Sequence, residues 1–100
     1  MIDQILSKNG VSIRLTDERW AHITEEHCEL AGLRSDVLET VFNPERIFIG
    51  GEGELIAIRE MKTQKHLVVI YREQAKDEFS ITAFVTNKAR SLAKRRQIWP

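Results

Sequence analysis

The chain has 100 residues, 42% hydrophobic and 30% charged, with a formal net charge of zero, which fits one small globular domain spanning 1–100 and leaves no room for a second core. No apolar run approaches the roughly 20 residues that cross a bilayer, and the opening MIDQILSKNG lacks a signal-peptide pattern. The single cysteine, Cys28, excludes an internal disulfide and fits a reducing compartment, so the expectation is a cytoplasmic protein with no membrane partner.

In chain order, VSIRL (11–15) alternates apolar and polar side chains after the turn signal Asn9-Gly10 and predicts a short strand. Thr16 is a good N-cap, Asp17 and Glu18 put negative charge in the first turn, and a helix is expected from about 17 to 30, closed by Gly32. Ser35 is the expected cap of a second helix, DVLETVF, ended by Asn43-Pro44 because a residue before proline is pushed out of the α region. Four strands follow: RIFIG (46–50), ELIAIRE (54–60), HLVVIYRE (66–73) and FSITAFVT (79–86). The turns at Gly50–Gly53 and Lys62–Lys65 are short enough for antiparallel hairpins. The end, NKARSLAKRRQIW, reads as a basic helix or arm.

Helices gathered at one end and strands at the other predict an α+β fold. Its expected form is a short N-terminal strand and two helices packed on one face of a four-stranded antiparallel meander. In the last strand Phe79, Ile81, Ala83 and Val85 form a credible core face. Ser80, Thr82, Phe84 and Thr86 form the other, which faces solvent or lines a site.

Charge is distributed unevenly. Residues 17–54 carry ten acids against three bases, whereas residues 55–100 carry ten bases against four acids. Lys88, Arg90, Lys94, Arg95 and Arg96 place five bases in nine residues with no acid. Such a stretch either holds a nucleic-acid backbone by counterion release or is a solvated helix end.

Two histidines stand five apart in RWAHITEEHCEL (19–30). At about 100° per residue, His27 shares a stripe with Trp20, Ile23 and Leu30, while His22 falls with Glu25, Glu26 and Glu29. One metal ion cannot bridge two side chains separated in this way, and no metal or other cofactor is expected. Cys28, adjacent to His27 with only His66 as a distant base, reads as a partly buried thiol. His27 is either a core histidine or a general acid–base residue at the margin of helix and sheet. His22 reads as a surface residue with Glu26 one turn on. Arg72 and Arg59, each following an apolar run, can place positive charge on a phosphate, and Thr82 can donate a hydrogen bond.

RLTDERWAHITEEH, the second helix ending in FNPERI, then LVVIY and FSITAFVT with a basic end, resemble the barnase–EndoU–colicin E5/D–RelE (BECR) superfamily, particularly its phage-associated nuclease branch. The resemblance covers nearly the whole chain in element order. It implies a metal-independent ribonuclease, often a toxin paired with an antitoxin or immunity protein, that cuts RNA by attack of the 2′-hydroxyl on the adjacent phosphate. Carried over by position, His27 and His22 match the histidines of the first-helix pattern, Thr82 the "ITA" of the last strand, and Lys88 and Arg90 its basic continuation. The expected catalytic set is His27 first, then His22, Arg72 and Thr82, with Lys88, Arg90, Lys94, Arg95 and Arg96 binding RNA.

The chain has one tyrosine, Tyr71, and no histidine near its C-terminus, which keeps open a non-catalytic module of the same architecture that binds nucleic acid or a protein. An exposed RIFIG or FSITAFVT edge would also permit pairing with a second copy of the chain.

Overall fold

The computed structural model describes residues 2–62, 64–73 and 81–100. The chain opens with a two-stranded antiparallel hairpin, β1 (Ile2–Leu6) and β2 (Ser12–Thr16), followed by α1 (Asp17–Glu26), a 3-10 turn η1 (Cys28–Leu30) and α2 (Arg34–Phe42). Four strands come next: β3 (Arg46–Ile49), β4 (Leu55–Lys62), β5 (Lys65–Tyr71) and β6 (Ile81–Thr86). A second 3-10 segment, η2 (Ala89–Lys94), leads into β7 (Arg96–Trp99). The fold is α+β, and its main sheet has five antiparallel strands in the order β6-β5-β4-β3-β7.

Local chemistry explains much of this. Thr16 caps α1, its side chain accepting a hydrogen bond from the Arg19 amide at 3.0 Å. The helix stops at Glu26, earlier than the spacing predicts. Its last turn carries Glu25 and Glu26 and no base, and carboxylates oppose the helix's negative end. His27 becomes the C-cap, its amide donating to the Ile23 carbonyl at 2.8 Å. Gly32 follows the 3-10 turn at φ +81°, a conformation that favours glycine. Leu33 occupies the cap position of α2, so Ser35 lies inside the helix and caps nothing. Asn43 ends α2 as expected.

Strand register sorts the sheet into two faces. On one, Leu55, Ala57, Val69, Tyr71, Ile81 and Ala83 pack with Ile13, Leu15, Ile23, Leu30, Val37 and Val41 from the hairpin and helices. On the other, Phe48, Ile56, Ile58 and Val68 are buried beneath Ala89 and Leu92 of η2, with Ile70 and Phe84 alongside. The alternation expected for the last strand holds at Ile81, Ala83 and Val85, which join the helix-side core. Phe79 and Ser80 lie outside the described residues.

Three differences from the sequence reading have physical causes. IDQIL forms a strand because it pairs residue for residue with β2. The basic end is a short 3-10 helix followed by a strand, rather than one continuous helix or a free arm. Ala89 and Leu92 dock on the sheet, and RQIW pairs with β3 through Phe48↔Gln97 and Ile49↔Arg96. The meander therefore gains a fifth strand, and RIFIG lies between β4 and β7 rather than at an edge. The outer strand β6 is partly occupied: Arg19 Nε donates to the Ile81 carbonyl at 2.8 Å. No described helix is long and apolar enough to cross a membrane.

Candidate functional site

The sheet face turned away from the helices carries its polar groups at its two ends. Register aligns Glu60, His66 and Thr86 across β4, β5 and β6 at one end, and Ile56, Ile70 and Thr82 at the other. Arg72 lies beyond Ile70 on the same face of the chain. At about 3.3 Å per residue, His66 and Arg72 are roughly 20 Å apart along β5. Between them η2 covers the apolar middle through Ala89 and Leu92. Each end opens into a cleft.

The first cleft, of about 550 Å³, is lined by Arg19, Glu54, Arg72, Thr82 and Arg95 over an apolar floor that includes Ile56 and Ile70. Arg72 reaches the turn preceding β4: Nη1 donates to the Glu52 carbonyl at 3.0 Å, and Nη2 lies 3.3 Å from the Glu52 carboxylate and 3.4 Å from that of Glu54. Glu54 is the more enclosed carboxylate, its side chain 18% exposed against 84% for Glu52. Gly50 makes that position available, since a Cβ there would fall on the Glu54 carboxylate. The turn itself is held by the Gly50 amide donating to the Glu54 carbonyl at 2.8 Å.

This arrangement unites two residues singled out in the sequence, Arg72 and Thr82, and adds Arg95 from the basic end. Arg19 and Glu54 were not anticipated. Arg19 follows the cap of α1 by three residues, and only its hydrogen bond across to the Ile81 carbonyl of β6 reveals its place. Glu54 becomes legible once β4 and β5 are paired, because the apolar positions Ile56 and Ile70 set the face it shares.

The second cleft, of about 560 Å³, is lined by Glu60, His66, Asn87, Lys88, Arg90 and Ser91, among others. His66 is only 15% exposed in its side chain, its Nε2 lies 3.9 Å from Glu60 Oε2, and its buried Nδ1 has no hydrogen-bond partner among the described residues. The Lys88 amide donates to Thr86 Oγ1 at 2.9 Å, and Ser91 Oγ donates to the Lys88 carbonyl at 2.9 Å, which fixes the entry of η2. The sequence alone relates His66 only to Cys28, as a distant base. Cys28 is in fact exposed, not partly buried.

The remaining expected residues are dispersed. His27 is not on a buried stripe. It caps α1 with its side chain 34% exposed, and its ring lies 6.2 Å from that of Phe84 on β6. That is the margin of helix and sheet, two residues along the strand from Thr82. His22 is on the surface as expected, with Nε2 3.3 Å from Glu26 Oε1. Arg59 stands opposite Leu67 and beside Asp36 and Thr40 of α2, so it faces the helices rather than either cleft. Lys88, Arg90, Lys94, Arg95 and Arg96 are all exposed along η2 and the start of β7, apart from the shared lining roles of Lys88, Arg90 and Arg95. Among the described residues no three histidine, cysteine, aspartate or glutamate side chains converge in a metal-ligating group.

No protein family matches the chain, and no curated protein or solved structure matches it.

Proposed function

We propose that the protein is a metal-independent endoribonuclease acting at the cleft of Arg19, Glu54, Arg72, Thr82 and Arg95. The observation that carries this reading is the convergence of three arginines, a threonine hydroxyl and an enclosed carboxylate over an apolar floor. Guanidinium groups match a phosphodiester in geometry and stay charged at every working pH. Ile56 and Ile70 offer a surface on which a nucleobase can rest.

The chemistry assigned to the site is attack of a ribose 2′-hydroxyl on the adjacent phosphorus. The 2′-oxygen–phosphorus bond forms, the bond to the 5′-oxygen breaks, and a 2′,3′-cyclic phosphate remains. Glu54 takes the 2′-hydroxyl proton. Arg72, Arg19 and Arg95 hold the negative charge that grows on the phosphoryl oxygens, and the Thr82 hydroxyl donates to one of them. His27 does not line the cleft but stands at the end of α1 against Phe84, two residues along β6 from Thr82, and is assigned the proton for the departing 5′-oxygen. Toxin-like action in the cytoplasm, with an antitoxin or immunity protein neutralising it, belongs to the same proposal.

Incubation of the purified protein with labelled RNA in the presence of EDTA tests the reading. Cyclic phosphate ends that disappear in Arg72→Ala support it. Absence of cleavage at any RNA sequence sampled by a randomised pool overturns it.

The exposed bases of η2 favour a second reading, a non-catalytic nucleic-acid-binding module. None of Lys88, Arg90, Lys94, Arg95 and Arg96 is ion-paired to a carboxylate among the described residues, whereas Arg72 already is. RNA binding that falls steeply with salt, without cleavage, is its signature.

A further inference from the structure

We infer that the second cleft, at His66, is a phosphate subsite for the same RNA strand that occupies the first, and that η2 is the track between them. The inference rests on the RNA reading above but concerns a separate set of residues. Lys88 and Arg90 line the His66 cleft, Arg95 lines the other, and Lys94 lies exposed between them on the segment that crosses the sheet. The two clefts are thereby joined by cations on one continuous stretch of backbone. Ala89 and Leu92 fix that stretch to the sheet, so its cations are presented by a packed element rather than a loose tail.

The walls of the second cleft divide by charge. Lys88 and Arg90 offer positive charge for a phosphate, and the Ser91 hydroxyl lies beside them. Glu60 faces His66 and leaves carboxylate oxygen as an acceptor, while Asn87 offers both donor and acceptor. Carboxylates and amides are the groups that accept from or pair with base edges. One nucleotide therefore fits with its phosphate on the η2 side and its base toward Glu60 and Asn87.

The separation sets the length of strand required. The clefts are about 20 Å apart along β5, and a stacked strand rises ~3.4 Å per nucleotide, so about six nucleotides span them and fewer suffice when the strand is stretched.

The experiment measures affinity for a ladder of 2′-O-methyl RNA strands of three to twelve nucleotides, which lack the attacking hydroxyl and so separate binding from cleavage. The full chain is compared with the doubly substituted Lys88→Ala, Arg90→Ala variant, both changes being at exposed positions. For the unsubstituted protein, affinity rises in a step once the strand reaches about six nucleotides. In the variant the step disappears, binding of long strands weakens by roughly tenfold, and the slope of log affinity against log salt falls by about 1.4, the value for two phosphate contacts on a single strand. Three-nucleotide strands bind both proteins alike. A step that persists in the variant, or no step in the unsubstituted protein, overturns the subsite while leaving the first cleft intact. Failure to bind any strand removes the RNA reading and the subsite together.

Discussion

Arg19 Nε donates to the carbonyl of Ile81 at 2.8 Å, so that one side chain from the first turn of α1 occupies a backbone acceptor on the outer strand β6. The same guanidinium lines the cleft with Arg72 and Thr82. A positioning contact and a charge for the cleft thus come from one residue.

Arg19→Lys separates the two contributions. The lysine keeps a cation but cannot reproduce a directed Nε–H bond beside the rest of the guanidinium fork. Hydrogen bonds involving charged groups contribute about 1.5–3 kcal/mol, and a loss of that order is expected by urea denaturation. Equal losses in Arg19→Lys and Arg19→Ala would assign the effect to the hydrogen bond. A smaller loss in Arg19→Lys would assign part of it to charge.

Gly50→Ala tests Glu54 by displacing its carboxylate without changing residue 54 itself. The added methyl takes the place of the Glu54 carboxylate, which sits at the end of a flexible chain and can move. Stability is expected to change by less than about 1 kcal/mol, since half-buried Gly50 has no left-handed φ and the nearest atoms its methyl meets belong to the movable Glu54 side chain. RNA cleavage is expected to fall toward the level of Glu54→Gln, roughly 10²-fold or more for a lost general base. Full activity in Gly50→Ala would argue against Glu54 as the base.

The two histidines of α1 should part company. His22 makes one exposed i,i+4 contact with Glu26, a type of pair that contributes about 0.2–0.5 kcal/mol. His22→Ala is expected to leave both melting temperature and cleavage rate nearly unchanged. His27→Ala is expected to reduce cleavage roughly 10²-fold with the circular dichroism spectrum retained. A loss of cleavage in His22→Ala equal to that in His27→Ala would contradict this division.

Tyr71 is the least accommodated polar group of the helix-side core. Its side chain is wholly buried, and its hydroxyl has no hydrogen-bond partner among the described residues. Burial, then the nearby Glu73 carboxylate, pushes the phenol up to about 12 from the usual 10. The folded state therefore retains a proton that the unfolded chain releases. This contribution is fully present below about pH 10 and is lost as pH rises through about 12. Tyr71→Phe removes the titration, so unfolding on the alkaline side is expected at higher pH. At neutral pH the variant is expected to gain about 1 kcal/mol, because an unsatisfied buried polar group is removed. Denaturation midpoints at pH 7 and pH 11 measure both effects, and a clear loss of stability at pH 7 would show that the hydroxyl has a partner.

What could be read from the sequence was mostly local. Thr16 announces α1 because a threonine followed by two acids is a complete capping signal. ITAFVT announces its two faces because a strand's period is two. The union of Arg72 with Thr82 follows from pairing the last two apolar runs, since Ile70↔Thr82 is the only further information needed. By contrast, KARSLAKRRQIW has helix-forming residues and cations, and its local preference is overruled by a long-range partner, β3. The same docking decides where Lys88, Arg90 and Arg95 stand. His66 is not legible in the sequence, because a histidine at the start of an apolar strand has no local signature. Its surroundings arrive from β4 and from the segment after β6.

The placement of β7 also bears on the order in which the molecule is built. Ile47 pairs with Trp99, and contacts so distant along the chain incur the largest loop-closure entropy and form slowly. The hairpin contacts of β3 to β6 need no such closure. Arg95 immediately precedes β7 and reaches its cleft only when that strand has docked. The third arginine is therefore delivered by the longest-range strand pairing among the described residues, and a chain arrested before that event would carry the floor of the cleft without its full charge.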